Sequence, residues 1–258
     1  EYLALEGVEV VFGIPGGALS NLLHVLKGRG LRYIVCRHES GAAYIADGYY
    51  RATGKLGVVM VTSGPGATNA LTGTINANCD GSALLTITGE VAEQYFGKGY
   101  LQEGIDASLD VDAVYAASTA YSAVISDQSD AQTLIEQALR DALSRPRRAA
   151  HLSIPNNVTV EVLTAYSMPT SVDNYRVVPQ GVPDDLVLKA LEHLLAAKRP
   201  ALLVGSHCRD ALRNDTTATL FAQFVERFGI PVMTTAEGKG LFPESHPLSL
   251  RVYGIADC

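Results

Sequence analysis

Short β-branched runs recur along this chain with a helix-length segment between each pair. That alternation constrains the fold more than any other feature. Residues 8–12, 31–36, 58–62 and 83–88 are near-continuous apolar runs rather than alternating ones. Runs of that kind suit parallel strands covered on both faces. Between them, 18–27, 40–53 and 67–79 have the length and composition of helices. Strand–helix–strand units in series require right-handed crossovers, so the expected fold class is α/β, an open parallel sheet with helices on both faces. Residues 127–144 read most clearly as a helix: Leu134, Ile135, Ala138, Leu139, Ala142 and Leu143 form one apolar stripe, with Glu136 and Arg140 four apart on the outer face. Residues 149–154 then form a further strand, ended by Pro155.

Residues 1–162 are expected to form one domain, 163–183 a polar, proline-punctuated linker, and 184–258 the first part of a second α/β domain. In that second part, helix 184–197, strand 201–205, helix 216–228 and strand 231–235 are too few to close a doubly wound sheet. The chain opens on Glu rather than Met, in what reads as the last turns of a helix stopped by Gly7, and it closes without a helix or polar tail. The expectation is a fragment of a longer parent.

Composition removes several classes of function. Hydrophobic residues make up 47% of the 258, enough for a real core, which excludes wholesale disorder. A formal net charge of −7 argues against a nucleic-acid backbone as partner. No apolar run approaches the roughly 18 residues needed to span a bilayer, so no membrane partner is expected. Cys36, Cys79, Cys208 and Cys258 form no C-x-x-C pair and read as buried free thiols of a reducing cytosol. His38-Glu39 could open a zincin helix, but Ala42 stands where the second histidine is required, and no metal ligand is assigned. There is neither a G-x-S-x-G elbow nor a G-x-x-x-x-G-K-[ST] loop.

Three segments fall where a strand hands over to a helix. Gly13-Ile14-Pro15-Gly16-Gly17 has Pro15 where a dinucleotide loop would have glycine, yet it still offers backbone N–H groups at a helix start; a plain βα turn is the other reading. Thr62-Ser63-Gly64-Pro65-Gly66-Ala67-Thr68-Asn69 permits close backbone approach through its glycines and adds the amide of Asn69. Glu39 lies between the two. A carboxyl there would be partly desolvated, its neutral form favoured, and could share a proton with a ring nitrogen of a bound heterocycle. A helix-start glutamate answering the helix dipole, or a contact to a dinucleotide ribose, would account for it as well. A further segment, residues 97–104, carries Gln102 and could reach the same rim, or be a mobile surface loop.

Val11-Phe12-Gly13-Ile14-Pro15-Gly16-Gly17, His38-Glu39-Ser40-Gly41-Ala42-Ala43, Gly48-Tyr49-Tyr50-Arg51-Ala52-Thr53-Gly54 and residues 62–69 closely resemble the pyrimidine-binding domain of thiamine-diphosphate enzymes. The branch most resembled is the acetolactate synthase large subunit. Ala197-Lys198-Arg199-Pro200 and residues 238–244 resemble that family's central domain. The resemblance implies that Glu39 is catalytic. It hydrogen-bonds N1′ of the aminopyrimidine ring and favours the tautomer whose 4′ nitrogen takes the proton from thiazolium C2. A pyruvate-like 2-keto acid is then decarboxylated and joined to an acceptor. Ile14, Pro15, Gly16, Thr62, Pro65 and Asn69 match residues around the cofactor, and Gly17 and Gln102 match the substrate side. The cofactors implied are thiamine diphosphate and Mg2+, the latter held by a Gly-Asp-Gly…Asn motif that this sequence lacks. The family's site forms between subunits, so a homodimer or homotetramer is implied, and the chain alone should not turn over. A cytoplasmic location and a place in branched-chain amino acid biosynthesis follow from the same likeness.

Two departures qualify the reading. Aldehyde-releasing decarboxylases carry an acidic residue where Gly17 stands and a His-His pair near Gln102-Glu103, and their absence here favours carboligation. Gly205-Ser206-His207 lacks the glycine run expected of flavin-binding members, which leaves FAD in doubt. The alternatives are another thiamine-diphosphate decarboxylase or lyase on the same scaffold, or a non-catalytic nucleotide-binding module.

Overall fold

The computed structural model describes residues 1–106, 108–161, 166–178 and 181–254. Expectations that fall on Thr164, Pro179 and Cys258 lie outside the described residues. The chain divides into two compact units, Glu1–Val178 and Pro179–Cys258.

In the first unit the elements run α1 (Tyr2–Leu5), β1 (Val10–Ile14), α2 (Ser20–Gly28), β2 (Arg32–Val35), α3 (Glu39–Thr53), β3 (Gly57–Val61), α4 (Pro65–Cys79), β4 (Leu84–Glu90), α5 (Val111–Ala116), β5 (Tyr121–Val124), α6 (Gln128–Leu143) and β6 (Ala149–Pro155). The strands form one sheet in the order β2-β1-β3-β4-β6-β5, and every pairing is parallel. This is the α/β sheet that the apolar runs require. Both faces of the inner strands are covered, successive residues of a strand pointing to opposite sides. The apolar run at 31–36 departs from its expectation, because β2 lies at the edge of the sheet with Ile34 39% and Val35 64% exposed. Val11, Val58, Met60, Leu85, Ile87 and Leu152 pack with the stripe of α6. Val10, Phe12, Val59, Val61 and Leu84 pack with the alanines of α3 and α4.

Local signals set the ends of the helices that matter for the site. His38 caps α3, its Nδ1 accepting from Ser40 N at 3.2 Å, and Gly54 ends the helix in the left-handed region at φ +78°. α4 starts on Pro65, where a missing N–H costs nothing. The two helices pack closely because Gly73 has no side chain: a Cβ there would meet Ala43 Cβ at 2.6 Å.

Three local expectations need correction. The strand at 149–154 does not stop before Pro155. β6 includes it, and Glu90 O accepts from Asn156 N at 3.0 Å. Its other neighbour, β5, ends opposite Ser153, so the proline deprives no partner of a donor. The thiols are free but not buried: Cys79 is exposed, and Cys36 and Cys208 are half-buried. Within the stretch 163–183, residues 166–178 belong to the first unit. Tyr175 is buried there, and Arg176 forms a two-pronged pair with Glu6 at 2.8 and 2.7 Å.

The second unit holds α7 (Asp184–Ala196), β7 (Leu202–Val204), α8 (Arg209–Leu212), α9 (Asp215–Phe228), β8 (Val232–Thr234) and β9 (Ser249–Val252). Its three strands are parallel in the order β7-β8-β9. A small core gathers Val204, Val225, Val232 and Phe242. Gly238 lies against the end of β7, where a Cβ would come within 2.5 Å of Val204 O.

Candidate active site

β2 lies on one side of β1 and β3 on the other. The strand order therefore reverses at β1, and in open α/β sheets ligands bind outside the carboxyl ends of the strands at such a point. Ile14 pairs with Val61, so the loops after β1 and β3 leave the sheet side by side.

The glycines let these loops close on one another. A Cβ on Gly16 would fall 2.5 Å from both Cβ and Oγ1 of Thr62. A Cβ on Gly66 would fall 2.7 Å from Thr62 Cγ2 and 3.8 Å from Glu39 Oε1. Glu39, the first residue of α3, is 8% exposed. Its Oε2 accepts from Asn69 Nδ2 at 3.1 Å. Asn69 is itself held by Ser40, whose hydroxyl donates to Asn69 O at 2.5 Å. Among the described residues no donor reaches Glu39 Oε1. The structure thus joins Gly16, Thr62, Gly66, Glu39 and Asn69 through successive contacts. Ile14 ends β1, while Pro15 and Pro65 stand exposed beside this chain of contacts.

The substrate-side residues lie on a neighbouring feature. A cleft of about 530 Å³ is lined by Gly17, Thr62, Ser63, Tyr95, Tyr100 and Gln102, among others. Glu39 and Asn69 are not on its wall, and Thr62 belongs to both groups. Gln102 approaches through the backbone: Gly64, at φ +50°, has no side chain, and a Cβ there would meet Gln102 O at 2.6 Å.

Sequence reasoning missed Glu90, the last residue of β4 and 1% exposed. Burial holds its carboxyl above the ordinary range, against two backbone N–H bonds that pull the other way. The signal was available, because a charge at the carboxyl end of an apolar run is what singled out Glu39. It also missed α5 and β5. Among the described residues no cluster of three His, Cys, Asp or Glu is placed to hold a metal ion, and no helix is long and apolar enough to cross a membrane.

An open parallel sheet with a buried carboxyl between two glycine loops at its switch point defines a class of cofactor-binding α/β domain. Residues 1–109 match the N-terminal TPP-binding domain of thiamine pyrophosphate enzymes, and residues 187–257 match the central domain of the same enzymes. The chain belongs to that family. Within it, the chain is similar to acetolactate synthase large subunits: 33% identical to that of Lactococcus lactis over 251 residues, 96% of this chain and 42% of the relative. It is 34% identical to a putative large subunit of Mycobacterium tuberculosis (96% of this chain, 45% of the relative) and to a probable one of Methanocaldococcus jannaschii (98% and 42%). The chain spans less than half the length of these relatives.

Proposed function

We propose that the chain is the pyrimidine-binding and partial central region of an acetolactate synthase-like enzyme. The reaction is decarboxylation of a pyruvate-like 2-keto acid followed by carbon–carbon bond formation to an acceptor. The observation that carries this is Glu39, buried at the switch point with one oxygen fixed by Asn69 and the other free. Those residues fit thiamine diphosphate. Among the described residues Oε1 is an acceptor without a donor, and it lies 3.8 Å from where a Cβ on Gly66 would stand. Glu39, Asn69, Thr62, Ile14, Pro15, Gly16 and Pro65 would hold the aminopyrimidine. When bound, the cofactor supplies the carbon nucleophile and the electron sink for decarboxylation. Glu39 holds a proton at the ring nitrogen N1′, in a pocket whose low dielectric strengthens that bond. Asn69 orients the carboxyl. Gln102 and Gly17, on the wall of the cleft, face the acyl substrate. Mg2+ would be held outside this chain's described residues. The similarity to acetolactate synthases, over nearly all of the chain, favours this reading over a nucleotide-binding module.

The test is product analysis of the full-length protein with thiamine diphosphate, Mg2+ and pyruvate. The expected result is release of carbon dioxide together with a branched 2-hydroxy-3-keto acid. Free aldehyde as the main product would mean a simple decarboxylase. Tight NAD or FAD binding with no thiamine dependence would mean a nucleotide-binding module.

A homodimeric arrangement is part of the proposal. α3 exposes Tyr44, Ile45, Gly48 and Ala52 at helical spacing, with Gly41 half-buried one turn earlier, and Tyr44 and Ile45 are 46% and 48% exposed. A solvent-facing stripe is ordinarily polar, and the open space beyond Gly41 and Gly48 allows close approach of another surface. Ile45→Glu should shift the full-length protein to monomer in sedimentation velocity, with its circular dichroism unchanged. An unaltered sedimentation coefficient would remove α3 from the interface.

A further inference from the structure

The cleft residue Gln102 has a backbone that needs an explanation. Its φ is +60°, in the left-handed region that a non-glycine residue enters at a cost. Something must hold it there, and the structure shows two buried carboxyl groups gathering the backbone on either side. Glu103 is 7% exposed and uses both of its oxygens: Oε1 accepts from Gly97 N and Oε2 from Tyr100 N, the latter at 3.0 Å. The rings of Tyr95 and Tyr100 stack at 4.2 Å across the mouth of the same loop. Glu90, at the other end, uses a single oxygen: Oε1 accepts from Val91 N at 2.8 Å and from Gly104 N at 3.1 Å. Gly104 has no side chain because its Cβ would fall 2.4 Å from Glu90 Oε2. Residues 91–104 are thus a loop drawn closed by carboxyl-to-amide hydrogen bonds, with Gln102 pressed onto Gly64 at the centre.

We infer that Glu103 is a positioning residue. Its two-pronged hold on Gly97 and Tyr100 fixes Gln102 in its left-handed conformation, and so fixes what the cleft presents to substrate. The catalytic consequence rests on the function proposed above; the conformational one does not. The different use of oxygens makes the idea separable from mere burial. Glutamine has one acceptor oxygen. At Glu90 that oxygen can keep both bonds, whereas at Glu103 either amide orientation sets an NH2 against an N–H.

The experiment compares Glu103→Gln with Glu90→Gln by amide hydrogen exchange of residues 93–104 and by the side-chain amide resonances of Gln102. In Glu103→Gln, exchange should rise at least ~10-fold, the lower end for loss of one charge-assisted hydrogen bond. The Gln102 resonances should move or broaden, while protection in α3 and α4 stays as in the parent. In Glu90→Gln, exchange should stay within ~3-fold of the parent. Equal effects of the two changes, or none from Glu103→Gln, would overturn the inference. In the full-length protein, Glu103→Gln should lower kcat/KM for the 2-keto acid by ~10- to 100-fold, the range for a displaced positioning group. Glu103→Asp, which keeps both acceptor oxygens, should recover part of that loss. Loosened exchange with unchanged kcat/KM would show that Gln102 needs no positioning. A parent protein without thiamine-dependent turnover would sink the proposed function and leave the exchange and resonance comparison decisive for the loop.

Discussion

Glu39→Gln should reduce thiamine-dependent turnover of the full-length protein by at least ~100-fold, the size of effect that losing an acid–base group commonly has. The substitution keeps shape and burial. Asn69 Nδ2 donates to one carboxylate oxygen at 3.1 Å, and the amide oxygen of glutamine can take that bond. What it cannot do is share an acidic proton with a ring nitrogen, because an amide neither gains nor loses one near neutral pH. The loss should therefore appear in kcat, with cofactor affinity changed much less, and the C2 proton of the bound cofactor should exchange with solvent more slowly. Initial rates against thiamine diphosphate and against pyruvate, with C2 exchange followed by NMR, separate these effects. Turnover equal to the parent's would refute the role given to Glu39, because a glutamate serving only the helix dipole is worth at most about 2 kcal/mol of stability and nothing in rate.

The inner sheet was legible because β1, β3 and β4 are near-continuous apolar runs buried on both faces. The switch point was legible because glycine loops and a lone carboxyl follow three of the apolar runs in turn. β5 escaped notice because Tyr121-Ser122-Ala123-Val124 is half-buried throughout, at the edge of the sheet, and carries no clean period. The Gln102 loop was legible as a segment but not as a structure. The bonds that shape it run from Glu103 to Gly97 and Tyr100 and from Glu90 to Gly104, and nothing in the local sequence announces which amides a buried carboxyl will collect. Nor could composition foretell the exposure of Cys79, at the end of α4.

The protein should lose stability steeply in mild acid, and His151 should account for a defined share of the loss. His151 is fully buried in β6 and stacks on Tyr115 at 3.9 Å. Its Nδ1 lies 2.7 Å from Ser122 Oγ, and its Nε2 lies 2.9 Å from Thr88 Oγ1. Ser122 donates its own proton to Asp112 Oδ1 at 2.6 Å. It must therefore accept from Nδ1–H, which assigns the neutral Nδ1–H tautomer with Nε2 accepting from Thr88. Burial pushes the folded pKa of His151 down to about 3, whereas the unfolded chain titrates near 6.5. Above that unfolded value both states are neutral and pH has no effect through this group. Below it the unfolded chain takes up a proton that the native ring refuses, and stability falls by about 1.4 kcal/mol per pH unit until the folded pKa is reached. Between pH 7 and pH 4 that amounts to about 3 kcal/mol. Urea unfolding at both pH values should show the parent losing about 3 kcal/mol more than His151→Gln, with carboxylates titrating alike in the two proteins. Should that variant fail to fold, the imidazole resonances of the parent should stay in the neutral form down to about pH 4.5. The loss bears on the site because Tyr115, beneath the histidine ring, donates to Ala67 O at 2.8 Å, immediately after Gly66. Opening that lets His151 take up its proton therefore also releases the start of α4, where Gly66 faces Thr62 and Glu39. Parallel pH profiles, or an imidazole that titrates near pH 6.5 in the folded protein, would show that the ring is not sealed from water.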